Sequence, residues 1–254
     1  MKLSVVIITR NEEANIGRCL DSVRFADEWI VIDSQSTDST CEIAREKGAR
    51  VYECEWHGYG AAKREGVTRA EGNWILAVDA DEVVSVPLAE QIKKVIERED
   101  GPAGYRFPRK TFFLSRWILH CGWYPDYQLR LFRRGQGNFT NDVVHEYVEV
   151  NGAIGVLTGE LLHYSDPDLE HYLKKFNRYT TIGAEDAYAS GRRASASDIV
   201  VRPVVSFFKH YVTKQGFRDG MEGFILSALS SMAVLVKYSK LRHLAYQRRQ
   251  EGKA

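Results

Sequence analysis

The four cysteines of this 254-residue chain, Cys19, Cys41, Cys54 and Cys121, show neither metal-ligand nor disulfide spacing. A zinc module and a disulfide framework are therefore not expected, and the chain reads as cytosolic and reduced. A secretory leader is missing as well: Met1 to Ile8 is too short an apolar run and ends at once in a polar loop. The longest apolar run, Gly223 to Tyr238, is interrupted by Ser227, Ser230 and Ser231 and reads as too short to span a membrane. No Gly-X-Gly-X-X-Gly follows the first apolar segment, which argues against a dinucleotide fold, and there is no Gly-Lys-Ser/Thr phosphate loop. Internal repeats, low-complexity linkers, helix-turn-helix signatures and aromatic-basic RNA motifs are also lacking, so nucleic acid is not an expected partner.

Charge of one sign is scarce overall, with a net of +1, but its distribution is uneven. From Ala189 onward there are twelve Lys and Arg against four acids, while the rest of the chain is slightly acidic. A basic tail suggests an anionic surface. A chain of this length, 44% hydrophobic, fits one large α/β domain with an appendage.

The first half alternates strand and helix signals. Leu3 to Ile8, Trp29 to Ile32 and Trp74 to Val78 are short, continuous apolar runs of buried strands, with Arg50 to Tyr52 a shorter one. Asn11 is a candidate N-cap with two acids following, and Ile16, Leu20 and Val23 recur at helical spacing. Ser39 with Glu42 reads as a capping box, and Ala61 to Ala70 as a helix closed by Gly72. This rhythm predicts a parallel sheet with right-handed crossovers. Mixed strands are expected at Tyr105 to Phe113, Gln128 to Arg133, Val143 to Val150 and Leu161 to Tyr164. Helices are expected at Leu169 to Tyr188, Ile199 to Lys214 and Met221 to Tyr246.

Three polar loops then fall at one sheet edge, where open α/β sheets bind ligands. Thr9-Arg10-Asn11-Glu12 follows the first strand, Asp33-Ser34-Gln35-Ser36-Thr37-Asp38 the second, and Asp79-Ala80-Asp81 the fourth. A buried carboxylate at Asp33 suits a base N–H or ribose hydroxyls. Two carboxylates at i, i+2 suit a hard divalent cation that bridges phosphates; alternatively they are an acidic loop capping the next helix before Pro87.

The motifs Thr-Arg-Asn-Glu-Glu, Val-Ile-Asp-Ser-x-Ser-x-Asp-x-Thr and Asp-Ala-Asp-Glu, in this order and spacing, resemble a family 2 glycosyltransferase with the GT-A fold, from Lys2 to about Tyr164. Trp56-His57-Gly58-Tyr59-Gly60, the segment Trp123 to Phe132, and Val144-His145-Glu146 are similar to the subgroup that includes lipopolysaccharide inner-core β-glucosyltransferases. Where those members usually have Gln-Lys-Asn, this chain has Ala62-Lys63-Arg64. The resemblance implies a GT-A catalytic domain over residues 1–165 and a helical, basic extension over 166–254. It implies inverting transfer of a hexose, glucose from UDP-glucose, to a lipid-linked saccharide such as the lipopolysaccharide core. Thr9, Arg10, Asn11, Glu12, Asp33, Lys63 and Asp79 would bind the nucleotide sugar. Asp81, with Asp79 and His145, would hold Mn²⁺ or Mg²⁺.

Inverting transfer needs a base for the acceptor hydroxyl. Asp126, ahead of Tyr127-Gln128-Leu129-Arg130-Leu131, resembles the family's base; it also reads as a turn residue after Pro125. Glu146 is the rival, with Asp142 and His163 behind it. Trp117, Trp123, Tyr124 and Tyr127 suit either sugar faces or core packing. Arg130, Arg133 and Arg134 suit acceptor phosphates or a solvated strand edge. The tail helices either pack on the domain or form a monotopic anchor on an anionic membrane, placing the chain on the inner face of the cytoplasmic membrane. A sugar-1-phosphate nucleotidyltransferase is disfavoured, because Thr-Arg-Asn-Glu occupies the place of its Gly-rich loop. A non-catalytic membrane or nucleic-acid module would not require Asp79 and Asp81.

Overall fold

A computed structural model describes residues 1–140, 147–166 and 168–251. Two compact units are formed: Met1–Lys110 with Pro125–Ser165, and Thr111–Tyr124 with Asp166–Ala254.

In the first unit the order is β1 (Leu3–Thr9), α1 (Ile16–Ser22), β2 (Glu28–Asp33), α2 (Thr40–Glu46), β3 (Arg50–Glu53), α3 (Tyr59–Arg69) and β4 (Trp74–Asp79). Then come β5 (Glu82–Val84), α4 (Val86–Ile96) and the long β6 (Gly104–Phe113), whose far end forms a hairpin with β7 (Arg116–Trp117) in the second unit. β8 (Asp126–Arg133), β9 (Gly137–Phe139), β10 (Val148–Val150), β11 (Ile154–Val156) and β12 (Leu161–Asp166) complete the strands. The main sheet runs β3-β2-β1-β4-β8-β6-β12-β5. Its first four strands are parallel, β8 turns antiparallel against β4 and β6, and β5 is antiparallel to β12.

The continuous apolar runs are explained by burial on both faces. All seven residues of β1 are buried. Leu3, Val5 and Ile7 pack on one face with Ile16, Leu20, Leu88 and Ile92 from α1 and α4. Val6 and Ile8 pack on the other with Ala62 and Val67 of α3 and with Phe132 and Phe139. β5 and α4 are additions to the sequence expectation. Ser85 caps α4, accepting from the Leu88 N–H, and Pro87 lies in the first turn, where its missing N–H costs nothing.

The second unit is helical: α5 (Leu169–Ala189), α6 (Ala196–Phe208), a π turn over Lys209–Thr213, a 3₁₀ turn over Gly216–Asp219, and α7 (Gly220–Glu251). Gly223 is required for packing here, since a Cβ would stand 1.9 Å from the Gly216 carbonyl oxygen. Trp117 packs on Phe112 and Trp123 on Phe113. By length and composition the helical stretch Gly216–Gln250 is able to cross a membrane, contrary to the sequence reading, because the small serines do not break the helix.

Candidate active site

The parallel register itself assembles the site. Thr9 at the end of β1 pairs with Asp33 at the end of β2, and Ile8 pairs with Asp79 at the end of β4. Asp33 is fully buried, and its carboxylate accepts both the backbone N–H of Ser36, at 2.8 Å, and the Ser36 hydroxyl. Thr9 is buried too, and its Oγ1 has no hydrogen-bond partner among the described residues. A buried hydroxyl is costly to leave unpaired, so an orphan at a strand end marks a place for a ligand atom.

The loops after β1 and β2 are clasped together. Asn11 takes a left-handed backbone (φ 55°); its Oδ1 accepts from the Thr37 N–H at 2.8 Å and its N–H donates to Ser36 Oγ at 2.8 Å. The Glu12 N–H donates to Thr40 Oγ1 at 2.8 Å, and Glu13 Oε2 accepts from the Ser39 N–H at 3.1 Å. Two expectations are corrected by this. Asn11 is not a helix cap, because α1 begins at Ile16 after Asn15. Ser39 precedes α2 without a capping-box bond, its N–H being taken by Glu13. Arg10 is exposed at the tip of the same loop.

α3 brings a cation to this edge. Its buried residues, Gly60, Lys63 and Gly66, recur every third position and form one face. A Cβ at Gly66 would stand 2.2 Å from Val6 Cγ1, so only glycine lets the helix lie this close to β1. Lys63, 2% exposed, thereby places Nζ 3.0 Å from Asp79 Oδ1. Arg130 of β8 donates from Nη2 to Asp79 Oδ2 at 3.1 Å. Arg130 is thus buried inside the site, not on the solvated strand edge that was one of its two expected places. Burial alone would raise the Asp79 carboxyl, but the Arg130 guanidinium and Lys63 ammonium outweigh it and hold it well below the ordinary carboxylate range.

Asp81 faces a different partner. Its Oδ2 lies 3.2 Å from Nε2 of His163, which β12 delivers opposite Glu82. Burial pushes the His163 pKa down, and the Asp81 carboxylate reverses this and raises it above the ordinary value. The donor set, a carboxylate oxygen beside an imidazole nitrogen, fits a divalent cation of the Mn²⁺ type. It supplies two protein ligands; no cluster of three or more exists among the described residues. A cation held here would need oxygens from a bound ligand and water to complete its shell.

Two residues absent from the sequence reading complete the edge. Glu82 is fully buried, and Arg109 of β6 lies between it and Asp126. Asp126 opens β8 as a strand residue, half-exposed and ion-paired to Arg109 at 2.7 Å. Glu82 had a signal, an acid within a three-residue strand, but reads as part of an acidic loop when β5 is not recognised. Glu146, His145 and Asp142 lie outside the described residues. A second concavity, at the opposite edge of the sheet, holds Lys2, Glu28, Arg50 and Glu71; there Arg50 pairs with Glu28 and Glu71.

A sheet with clustered carboxylates and buried cations at its carboxyl edge defines a nucleotide-using α/β transferase. The family model for Glycosyl transferase family 2 matches residues 4–154, and the chain belongs to that family. Its mixed sheet, flanked by helices and followed by a helical extension, is the GT-A fold. The chain is 31% identical to an uncharacterized glycosyltransferase of Rickettsia bellii, over 97% of this chain and 88% of that protein. It is 29% identical to the lipopolysaccharide core biosynthesis glycosyltransferase LpsC of Rhizobium meliloti, over 98% of this chain and 93% of that protein. Among solved structures, S. aureus TarS 1-349 in complex with UDP-GlcNAc covers 97% of this chain and 92% of its own at 15% identity, with a TM-score of 0.49.

Proposed function

We propose that this family 2 glycosyltransferase transfers a hexose, glucose from UDP-glucose, with inversion to a lipid-linked saccharide of the lipopolysaccharide core. The observation that carries the reading is the pair of buried cations, Lys63 and Arg130, at the carboxyl edge beside Asp81 and His163. Thr9 and Asp33 receive the nucleoside: Thr9 has the spare hydroxyl, and Asp33 a carboxylate fixed by Ser36. Arg10, Asn11 and Glu12 frame that pocket through the loop clasp. Lys63 and Arg130 face the diphosphate, with Asp79 keeping both cations in place. Asp81 and His163 hold Mn²⁺ or Mg²⁺, which neutralises charge developing on the departing nucleoside diphosphate. His145, expected as a ligand from sequence, is the alternative nitrogen donor.

Asp126 takes the proton of the acceptor hydroxyl. It is the base candidate at this edge among the described residues, with Glu146 as the alternative. The match to LpsC supports the acceptor class. The test is release of UDP from UDP-glucose on delipidated and intact core lipopolysaccharide, with Mn²⁺ and with excess chelator. Asp81→Asn should fold and lose most metal-dependent turnover. Full activity of that variant, or of wild type in chelator, rejects the metal role.

A lipid-linked acceptor requires access to a membrane surface, here the inner face of the cytoplasmic membrane. α6 and the turn after it expose Val200, Val201, Val204, Val205, Phe208 and Val212, an apolar stripe along one helix face. Lys209, Lys214 and Arg218 are exposed near it, whereas the acids of this stretch, Asp198 and Asp219, are buried. An apolar face bordered by cations suits an anionic lipid interface.

A further inference from the structure

The roles assigned so far leave Glu82 unused, although it is a carboxylate with no exposed surface. A charge so placed is a poor choice for stability alone, because a well-packed apolar side chain of similar volume serves as well or better. Its two oxygens go to two halves of the site. Oε2 accepts the backbone N–H of Asp79 at 2.9 Å, and Oε1 lies 3.4 Å from Arg109 Nη1. Arg109 in turn donates from Nε and Nη2 to Asp126 Oδ2, at 3.0 and 2.7 Å. Gln128 Nε2 holds the other oxygen of Asp126 at 2.8 Å. A continuous path therefore runs from the Asp79 backbone through Glu82 and Arg109 to Asp126, across β4, β5, β6 and β8.

We propose that Glu82 and Arg109 are positioning residues that fix Asp126 in distance and orientation relative to the Asp79 end of the site. The inference rests on Asp126 being the base. Only a planar guanidinium serves two carboxylates in this way; one fork edge grips Asp126 while the remaining nitrogen reaches Glu82. With Oδ2 occupied by Arg109, Oδ1 is the oxygen left to meet an acceptor hydroxyl, steered by Gln128. Neither Glu82 nor Arg109 touches substrate in this scheme. Their effect is on kcat, through a base misplaced by a fraction of an ångström to an ångström, and not on the hold on the donor.

The test uses the full chain, with UDP-glucose as donor and delipidated core lipopolysaccharide as acceptor. Variants are Glu82→Gln, Arg109→Lys, their double, and Asp126→Asn. Glu82→Gln still offers a carbonyl oxygen to the Asp79 N–H but loses the charge that faces Arg109. Arg109→Lys keeps a charge but cannot grip both carboxylates. Each single variant should lower kcat by about 10- to 10²-fold, as a comparable misplacement of reacting groups does. KM for UDP-glucose should stay within about twofold of wild type. The double variant should be no worse than the weaker single, because both changes break one link. Wild-type kcat in both singles overturns the proposal. So do losses that multiply in the double, or that appear equally in KM, since a merely structural role would give those. Should Glu82→Gln not fold, Arg109→Lys, at a partly exposed side chain, decides by the same kcat against KM split. An Asp126→Asn variant with wild-type kcat removes the base reading and the relay together. A crippled Asp126→Asn beside fully active Glu82→Gln and Arg109→Lys leaves the base in place and overturns only the relay.

Discussion

The sheet edge of the first unit and the helices of the second break the usual rule of burial in opposite directions. At the edge, Asp33, Lys63, Glu82 and Arg130 are buried charges. In the helices, Val200, Val204, Phe208, Phe217, Met221 and Met232 are apolar and exposed, and only 22% of the apolar window of the last helix is buried. Each departure costs stability by itself. Buried charges must be paired and hydrogen-bonded, and exposed apolar surface invites association. The difference separates two tasks. The edge fixes charged groups in one geometry before a substrate arrives, while the helices keep an adhesive face for something not part of the chain. Chemistry is thus read from polar atoms inside, and location from apolar atoms outside.

The largest expected effect tests the first half of that contrast. Asp126→Asn should lower kcat by about 10² to 10⁴, the usual cost of losing a positioned base. Nucleotide-sugar affinity, measured by calorimetry, should stay near wild type. If Glu146→Gln has this effect and Asp126→Asn does not, the base is Glu146.

Next comes the pairing of the buried charges. Lys63→Met leaves Asp79 with one cation instead of two. Removing one partner of a buried pair costs roughly 3–5 kcal/mol, and because Arg130 remains and Asp79 is partly exposed the loss should fall at or below the low end of that range. Lys63→Met combined with Asp79→Asn should recover part of it in urea melts, since the unpaired charge is then gone. A double variant no more stable than the single would mean that Lys63 contributes through packing, and the edge would lose its claim to being an electrostatic construction.

Much of this edge was legible in the chain. The apolar runs ending in Thr9, Asp33 and Asp79 give strands, and strand ends in a parallel sheet give the site. The partners were harder, because they arrive from distant segments. Lys63 reaches Asp79 only because Gly60 and Gly66 let α3 settle on β1, and that spacing looks like weak helix when read locally. Arg109 and Arg130 sit in strands where a charge reads as solvated. Their burial follows from the antiparallel β4-β8-β6 order, which alternation alone does not specify. Asn11 misled for the opposite reason. Its residue type favours both a cap and a left-handed turn, and only the β2–α2 loop across from it decides between them. In the helices the elements were readable but the outward face of α6 was not, since Val at a helix position signals core as readily as interface.

The adhesive face gives a smaller effect. Binding to vesicles rich in anionic lipid should be strong at low salt and weaken as salt rises. Neutralising Lys209, Lys214 and Arg218 should cost about 1 kcal/mol each. Val204→Ser with Phe208→Ser should reduce binding without changing turnover on a delipidated acceptor. The exposed terminal set Arg242, Arg248 and Arg249 serves as the comparison, and an equal loss there would spread the contact along α7. If the protein ignores such vesicles but dimerises through this face, the occupant is a second copy and the membrane reading is wrong.

The smallest effect concerns how α6 is held in place to present that face. Ser195 caps the helix in a full capping box with Asp198: each accepts from the other's backbone N–H, at 3.2 and 2.9 Å. Ser195→Ala should cost about 1 kcal/mol of stability, as loss of an N-cap does. The effect should depend on pH in a defined direction. Hydrogen bonds from the Ser195 backbone and hydroxyl, with Arg202 nearby, lower the Asp198 carboxyl to about 2. A depressed carboxyl contributes stability that is fully present above its unfolded value, near 3.9, and disappears as pH falls through the folded value. The gap between wild type and Ser195→Ala should therefore be widest near neutrality and narrow between about pH 4 and pH 2, as followed by thermal melts. A gap that stays constant down to pH 2 would mean that Ser195 acts on the helix without Asp198, and that the box is geometric only.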